Sequence, residues 1–240
     1  MMSGDIGGGR QFMAAALGVG ETRPSRWRAL ALYGDGLLAF RQGAEEESRQ
    51  RNEGALEAAW AVGDREAEAL ALVGLSRVAL REGDYERVRS LASEARDLTR
   101  DLVPGAGAVP LHMLAEGTRL GGDFDQAAAL FSESLELNRE LGDQRMVGIE
   151  LHNLGHVEIH RGNVDAAEEL FRHCVEYHDP EDPYDAALVQ LDLASLALAR
   201  RDRDRAAELL GRAESITKEG EVVLDPDDAL ELRWLREQLG

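Results

Sequence analysis

Three histidines, His152, His156 and His160, recur at four-residue spacing. On a helix that spacing puts them on one face, a turn apart. Two imidazoles at i and i+4 can chelate zinc, so these three are the candidate ligands for any metal. Zinc hydrolysis would need a glutamate directly after the first histidine, beside the metal-bound water. Here Glu158 lies two residues after His156 and is directed elsewhere, so no catalytic metal is expected. The single cysteine, Cys174, excludes an intramolecular disulfide framework. It falls at a small-residue packing position, which suits a buried, inert thiol. Gly7-Gly8-Gly9-Arg10 is not a phosphate loop, because no Lys-Ser or Lys-Thr follows it. No motif points to a nucleophile or a cofactor.

Helices must position these groups. The 240 residues are 44% hydrophobic and 30% charged but only 5% aromatic, and Ala, Leu, Glu and Arg dominate. That mixture favours helices with solvated outer faces. One turn grammar recurs five times, at Gly43, Gly83, Gly122, Gly162 and Arg201, spaced by 40, 39, 40 and 39 residues. Glycine takes the left-handed backbone that ends a helix cheaply. Asp84, Asp123 and Asn163 follow as helix caps. Before each turn a first helix carries an apolar stripe with a small residue, as in Leu72-Leu75-Ser76, Leu111-Leu114-Ala115 and Leu151-Leu154-Gly155. After the turn the second helix alternates small, large and small: Ala127-Phe131-Ser134, Ala167-Phe171-Cys174, Ala206-Leu210-Ala213. Spacings of four then three place each trio on one face.

The expected helix pairs are 25–41 with 44–61, 64–82 with 85–101, 106–121 with 124–141, 143–161 with 164–178, and 183–200 with 203–218. A last helix over 226–239 reads as a terminal cap, since the open end of a repeat array needs covering. Residues 1–22 form a Gly-rich, partly disordered segment, and 23–240 form the array. The apolar stretch from Phe12 to Val19 is too short to span a bilayer, and its flanks do not make it an export leader.

This grammar resembles the tetratricopeptide repeat. Leu154-Gly155 with Gly162-Asn163-Val164 and Ala167 is the nearest copy. The standard unit is about 34 residues long. Here Val62-Gly63-Asp64 and Leu141-Gly142-Asp143 links lengthen it. The long period resembles the repeat regions of large ATP-dependent bacterial transcriptional regulators. The first unit departs from the pattern at Ser48 and Asn52, and the fifth at Arg201. The resemblance implies an all-α, right-handed α-α superhelix of about five helix pairs plus a capping helix. It also implies a concave surface lined by first helices. By register, Arg77, Arg81, His112, Glu116, Arg119, His152, His156 and His160 line that surface as a polar, partly basic strip. Such a strip suits an acidic peptide or a free carboxylate; the bland alternative is a solvated face.

A net charge of −19 disfavours nucleic acid and anionic membranes as partners. The resulting expectation is a cytoplasmic, non-enzymatic scaffold that binds a peptide or helix of another protein without a cofactor. Two alternatives stay open. One is the sensor module of a bacterial transcriptional regulator system. The other is a metal or small-ligand binder acting through His152, His156 and His160. Stacking of the end repeats on a second copy is also left open.

Overall fold

The computed structural model describes residues 8–10, 13, 17–18, 23–103 and 105–240. Most of the 1–22 segment, and Pro104 in the loop before the third pair, therefore lie outside the described residues. Among the described residues there is no strand. From Arg26 onward the helices are α1 (Arg26–Arg41), α2 (Glu45–Val62), α3 (Arg65–Glu82), α4 (Tyr85–Thr99), α5 (Ala108–Leu120), α6 (Phe124–Leu141), α7 (Gln144–Arg161), α8 (Val164–Cys174), α9 (Pro183–Ala199), α10 (Arg203–Glu219) and α11 (Pro226–Leu239). A 3-10 turn, Val175–Tyr177, extends α8. These bounds match the repeat reading to within a few residues. The chain forms two compact units, Met1–Gly117 and Thr118–Gly240.

Each expected turn residue adopts the left-handed backbone, with φ of 74°, 76°, 87° and 80° at Gly43, Gly83, Gly122 and Gly162. Arg201 does the same at 66° without being glycine. Its helix end closes as a glycine would close it. The Arg201 N–H donates to the Leu198 carbonyl and the Asp202 N–H to the Ala197 carbonyl, each at 2.9 Å. The pair ending α7 is equivalent: Gly162 to Ile159 at 3.0 Å and Asn163 to Glu158 at 2.9 Å.

Asp84 and Asp123 accept capping hydrogen bonds from the Arg87 and Gln126 amides, each at 3.0 Å. Asn163 does not cap with its side chain. It is drawn back to Glu158, donating to Oε2 at 2.5 Å. Glu158 also accepts from Arg161 at 2.6 Å, so this glutamate faces Arg161 and Asn163 and not the histidine strip.

In unit 1, α1 packs on α2, α2 on α3, and α3 on α4. Ser48 and Asn52, the odd residues of the first pair, are fully buried. The Asn52 amide donates to the Ser48 carbonyl at 2.8 Å. Of the described residues in the 1–22 segment, Arg10 reaches Asp35 at 3.4 Å and Gln42 at 2.8 Å. Leu17 packs beside Leu32.

In unit 2, α6 packs on α7, α7 on α8, and α9 on both α10 and α11. Gly155 must lack a side chain, because a Cβ there would overlap the Phe171 ring. The α9, α10 and α11 layer closes on Leu191, Leu209, Leu210, Leu232 and Leu235. Thus α11 does cover apolar surface, as a cap should. Its other side has a different task.

Candidate functional site

Helix α7 is buried almost all the way round. Every residue from Glu150 to Ile159 is buried. The apolar stripe Val147, Leu151, Leu154 and Ile159 accounts for the sides facing its repeat partners. The remaining side carries His152, Asn153, His156 and His160. A polar face can be buried only if partners satisfy it, and α9 and α11 supply them.

Asp192 of α9 lies between the first two rings, its Oδ1 3.0 Å from His152 Nδ1 and 3.1 Å from His156 Nε2. Asp228 of α11 takes the far side of His152, with Oδ1 2.9 Å from Nε2. The Tyr184 hydroxyl donates to the other Asp228 oxygen at 2.6 Å. Glu231 of α11 meets three cations or potential cations. His160 Nε2 is 3.1 Å from each of its oxygens, Arg119 donates to Oε1 at 3.1 Å, and His156 Nδ1 stands 3.6 Å from Oε2. Arg119 also bonds to Asn153 and lies 4.0 Å from Asp227. Arg119, His156 and Glu231 are each no more than 2% exposed. The imidazoles are held against aromatic rings: His156 edge-on to Phe171 at 5.0 Å, and His160 stacked on Phe124 at 4.8 Å with Trp234 edge-on at 4.8 Å.

Charge states follow from these neighbours. Burial works against protonation of His152, but Asp192 and Asp228 outweigh it and raise its pKa well above the ordinary histidine value. For His156 burial prevails over Glu231 and Asp192, and the neighbouring His152 adds to the downward shift. Burial alone would raise Glu231, yet His156, His160 and Arg119 bring it down to about 2. The Asp192 carboxyl is likewise lowered, because the two histidines overcome its burial. Burial, with nearby carboxylates such as Asp192, pushes the Cys174 thiol far up. Its Sγ donates to the Gly148 carbonyl at 3.3 Å, as befits an inert packing residue.

The eight strip residues therefore fall into two sets. Arg119, His152, His156 and His160 are gathered in unit 2 beneath α11, paired and mostly buried instead of lining open solvent. In unit 1, Arg77 donates to the Tyr33 hydroxyl at 3.2 Å. Arg81 donates to the Phe40 carbonyl at 2.7 Å and lies over the Phe40 ring at 3.9 Å. His112 pairs with Glu116 at 3.8 Å. Asp192, Asp228, Glu231 and Tyr184 complete the unit 2 cluster and are absent from the sequence-based set. Asp192 did leave a signal, being a lone carboxylate in the apolar run Ala186–Ala199. Asp228 and Glu231 left only an i, i+3 pair on a helix with many other charges.

No protein-family model and no curated protein matches the sequence. Solved structures do. A Rap protein complexed with Competence and Sporulation Factor superposes with a TM-score of 0.67 at 18% identity, over 87% of this chain and 57% of that one. BtubC (BKLC) from P. vanneervenii gives 0.66 at 16% identity, over 92% and 91%. TPR-like repeats of a putative kinesin light chain from Podosopora anserina give 0.62 at 17% identity, over 82% and 97%. The fold is a tetratricopeptide-type solenoid. This chain spans little more than half of the Rap protein, and at such identities the likeness is one of fold. Among the described residues of the solenoid, no helix is long and apolar enough to cross a membrane.

Proposed function

We propose that the solenoid is a non-enzymatic interaction scaffold that receives an acidic helical segment of another protein on its first-helix faces. One observation carries this reading: the chain already seats such a helix. Through Asp228 and Glu231, α11 engages His152, His156, His160 and Arg119, while Leu232 and Leu235 fill the apolar floor beside them. This is helix-in-groove recognition, with carboxylates setting register and leucines supplying burial. A partner helix of the same character would displace α11 in unit 2. In unit 1 the corresponding side chains are Arg77, Arg81, His112 and Glu116. The Rap protein, of like fold, is complexed with a separate factor, which supports a binding role.

The test uses a chain ending at residue 224 and a labelled peptide spanning residues 225–240. Saturable binding is expected. The peptide carrying Asp228→Asn and Glu231→Gln should bind at least about 30-fold more weakly, as for loss of buried charge partners. Equal binding of the two peptides, or no binding of either to a chain that keeps its helical circular dichroism, defeats the reading. Arg77→Glu with Arg81→Glu tests unit 1 in the same way against captured partners.

A further inference from the structure

We propose that His152, His156 and Asp192 form a binding site for one divalent transition-metal ion of the zinc class. The site joins α7 to α9, with Asp228 and Glu231 of α11 orienting the two imidazoles. Among the described residues these three are the group whose donor atoms converge, all within 4.8 Å of one another. His160, the third member of the sequence triplet, is drawn away to Glu231 and Phe124, and Asp192 takes its place. Zinc bonds to nitrogen and oxygen are about 2.0–2.1 Å long, so the edges of a tetrahedral site measure about 3.3 Å. Two of the three separations, from Asp192 Oδ1 to the two ring nitrogens, are 3.0 and 3.1 Å; the histidine donors lie within 4.8 Å of each other, so the rings would close in slightly on an ion.

Hydrogen bonding by itself does not account for the arrangement. His152 Nε2 must carry its proton to bond to the Asp228 carboxylate. The other ring nitrogen, Nδ1, faces an Asp192 oxygen 3.0 Å away, where a metal ion can take the place of the second ring proton. The approach is not aligned as a hydrogen bond, and His152 Nδ1 has no hydrogen-bond partner. Nor do His156 Nδ1 and Asp192 Oδ2, on side chains 1% and 2% exposed. Buried polar atoms without partners are uncommon and call for an occupant. A metal ion between Nδ1 of His152, Nε2 of His156 and Asp192 would replace the His152 Nδ1 proton with a coordinate bond, with Asp192 Oδ2 available as a further donor. His156 Nδ1–H then faces Glu231. Each ligating ring would have a carboxylate on its other nitrogen, the usual arrangement that fixes tautomer and ring orientation in metal sites.

The proposal is independent of the acidic-helix reading, since the ion can bind with α11 as the only occupant. The experiment takes the full chain stripped with a chelator and measures zinc uptake by equilibrium dialysis, with cobalt(II) as a spectroscopic probe. One ion per chain is expected at micromolar concentration, with cobalt absorption of four- or five-coordinate strength. His156→Gln and Asp192→Asn should abolish tight uptake, Asp228→Asn should weaken it about 10- to 100-fold, and His173→Gln, half-buried and outside the cluster, should leave it unchanged. No retention by the native chain, or equal retention by native, His156→Gln and Asp192→Asn chains, overturns the site. If the ligand variants do not fold, X-ray absorption of the zinc-loaded native chain decides: two imidazoles and oxygen support the site, and any other shell rejects it.

Discussion

Glu231 shows how much one side chain can hold. It is 1% exposed and faces Arg119, His156 and His160. Its carboxyl sits at about 2 in the fold, against 4.5 for the free group. Because the folded value is the lower one, the stabilisation is present above about 4.5 and is lost as the pH falls through 2. At about 1.4 kcal/mol per unit the shift corresponds to about 3 kcal/mol. Removing one member of a buried pair costs a similar amount, about 3–5 kcal/mol. Glu231→Gln is therefore expected to lower the unfolding free energy of the chelator-treated protein by about 3 kcal/mol at neutral pH. It should also flatten the fall in stability on the acid side of pH 4.5. Urea titrations at several pH values check both; a substitution that changes neither would show that Glu231 is not paired in solution.

At the scale of elements, the repeat works because the hairpin turn within each pair is closed in the same way. Four of the five hairpin turns use glycine, and Arg201 does the same work with a side chain. A non-glycine residue in the left-handed region costs roughly 1–2 kcal/mol, offset in part by the greater freedom that glycine has when unfolded. Arg201→Gly is expected to stabilise unit 2 by up to about 1 kcal/mol and to leave the α9–α10 hairpin unchanged, as measured by denaturant midpoint. A drop in stability would mean that the Arg201 side chain makes compensating contacts. These turns, and with them the boundaries of the helices from Arg26 onward, were legible in the sequence because a chain reversal and, at most turns, a capping Asp occupy adjacent positions. Asn163 was misread as a side-chain cap for the opposite reason: Glu158, five residues back in sequence, lies within reach once α7 has ended.

At the scale of the molecule, α11 decides what unit 2 can do. It covers a layer of leucines on one side and four basic or potentially basic groups on another. A chain ending at residue 224 should lose amide protection across α7 and α9, while α1 to α3 keep theirs. Hydrogen exchange with mass spectrometry reads this directly, and unchanged protection in α7 would show that α11 does not hold the cluster together. The sequence alone determined the helical class, the period near 40, the turn positions and the common face of His152, His156 and His160. Each of these is encoded in residues a few positions apart, where helical periodicity dictates which side chains meet. Only the tertiary structure decided what that face meets. The partners lie 36 residues away at Asp192, 76 at Asp228 and, for Arg119 with Glu231, 112. Their meeting depends on the path of the chain through the solenoid and on the return of α11 over α7 and α9. Local spacing cannot encode that return, so the part of the strip made by Arg119, His152, His156 and His160, which reads as a groove in sequence, lies beneath α11 in the fold.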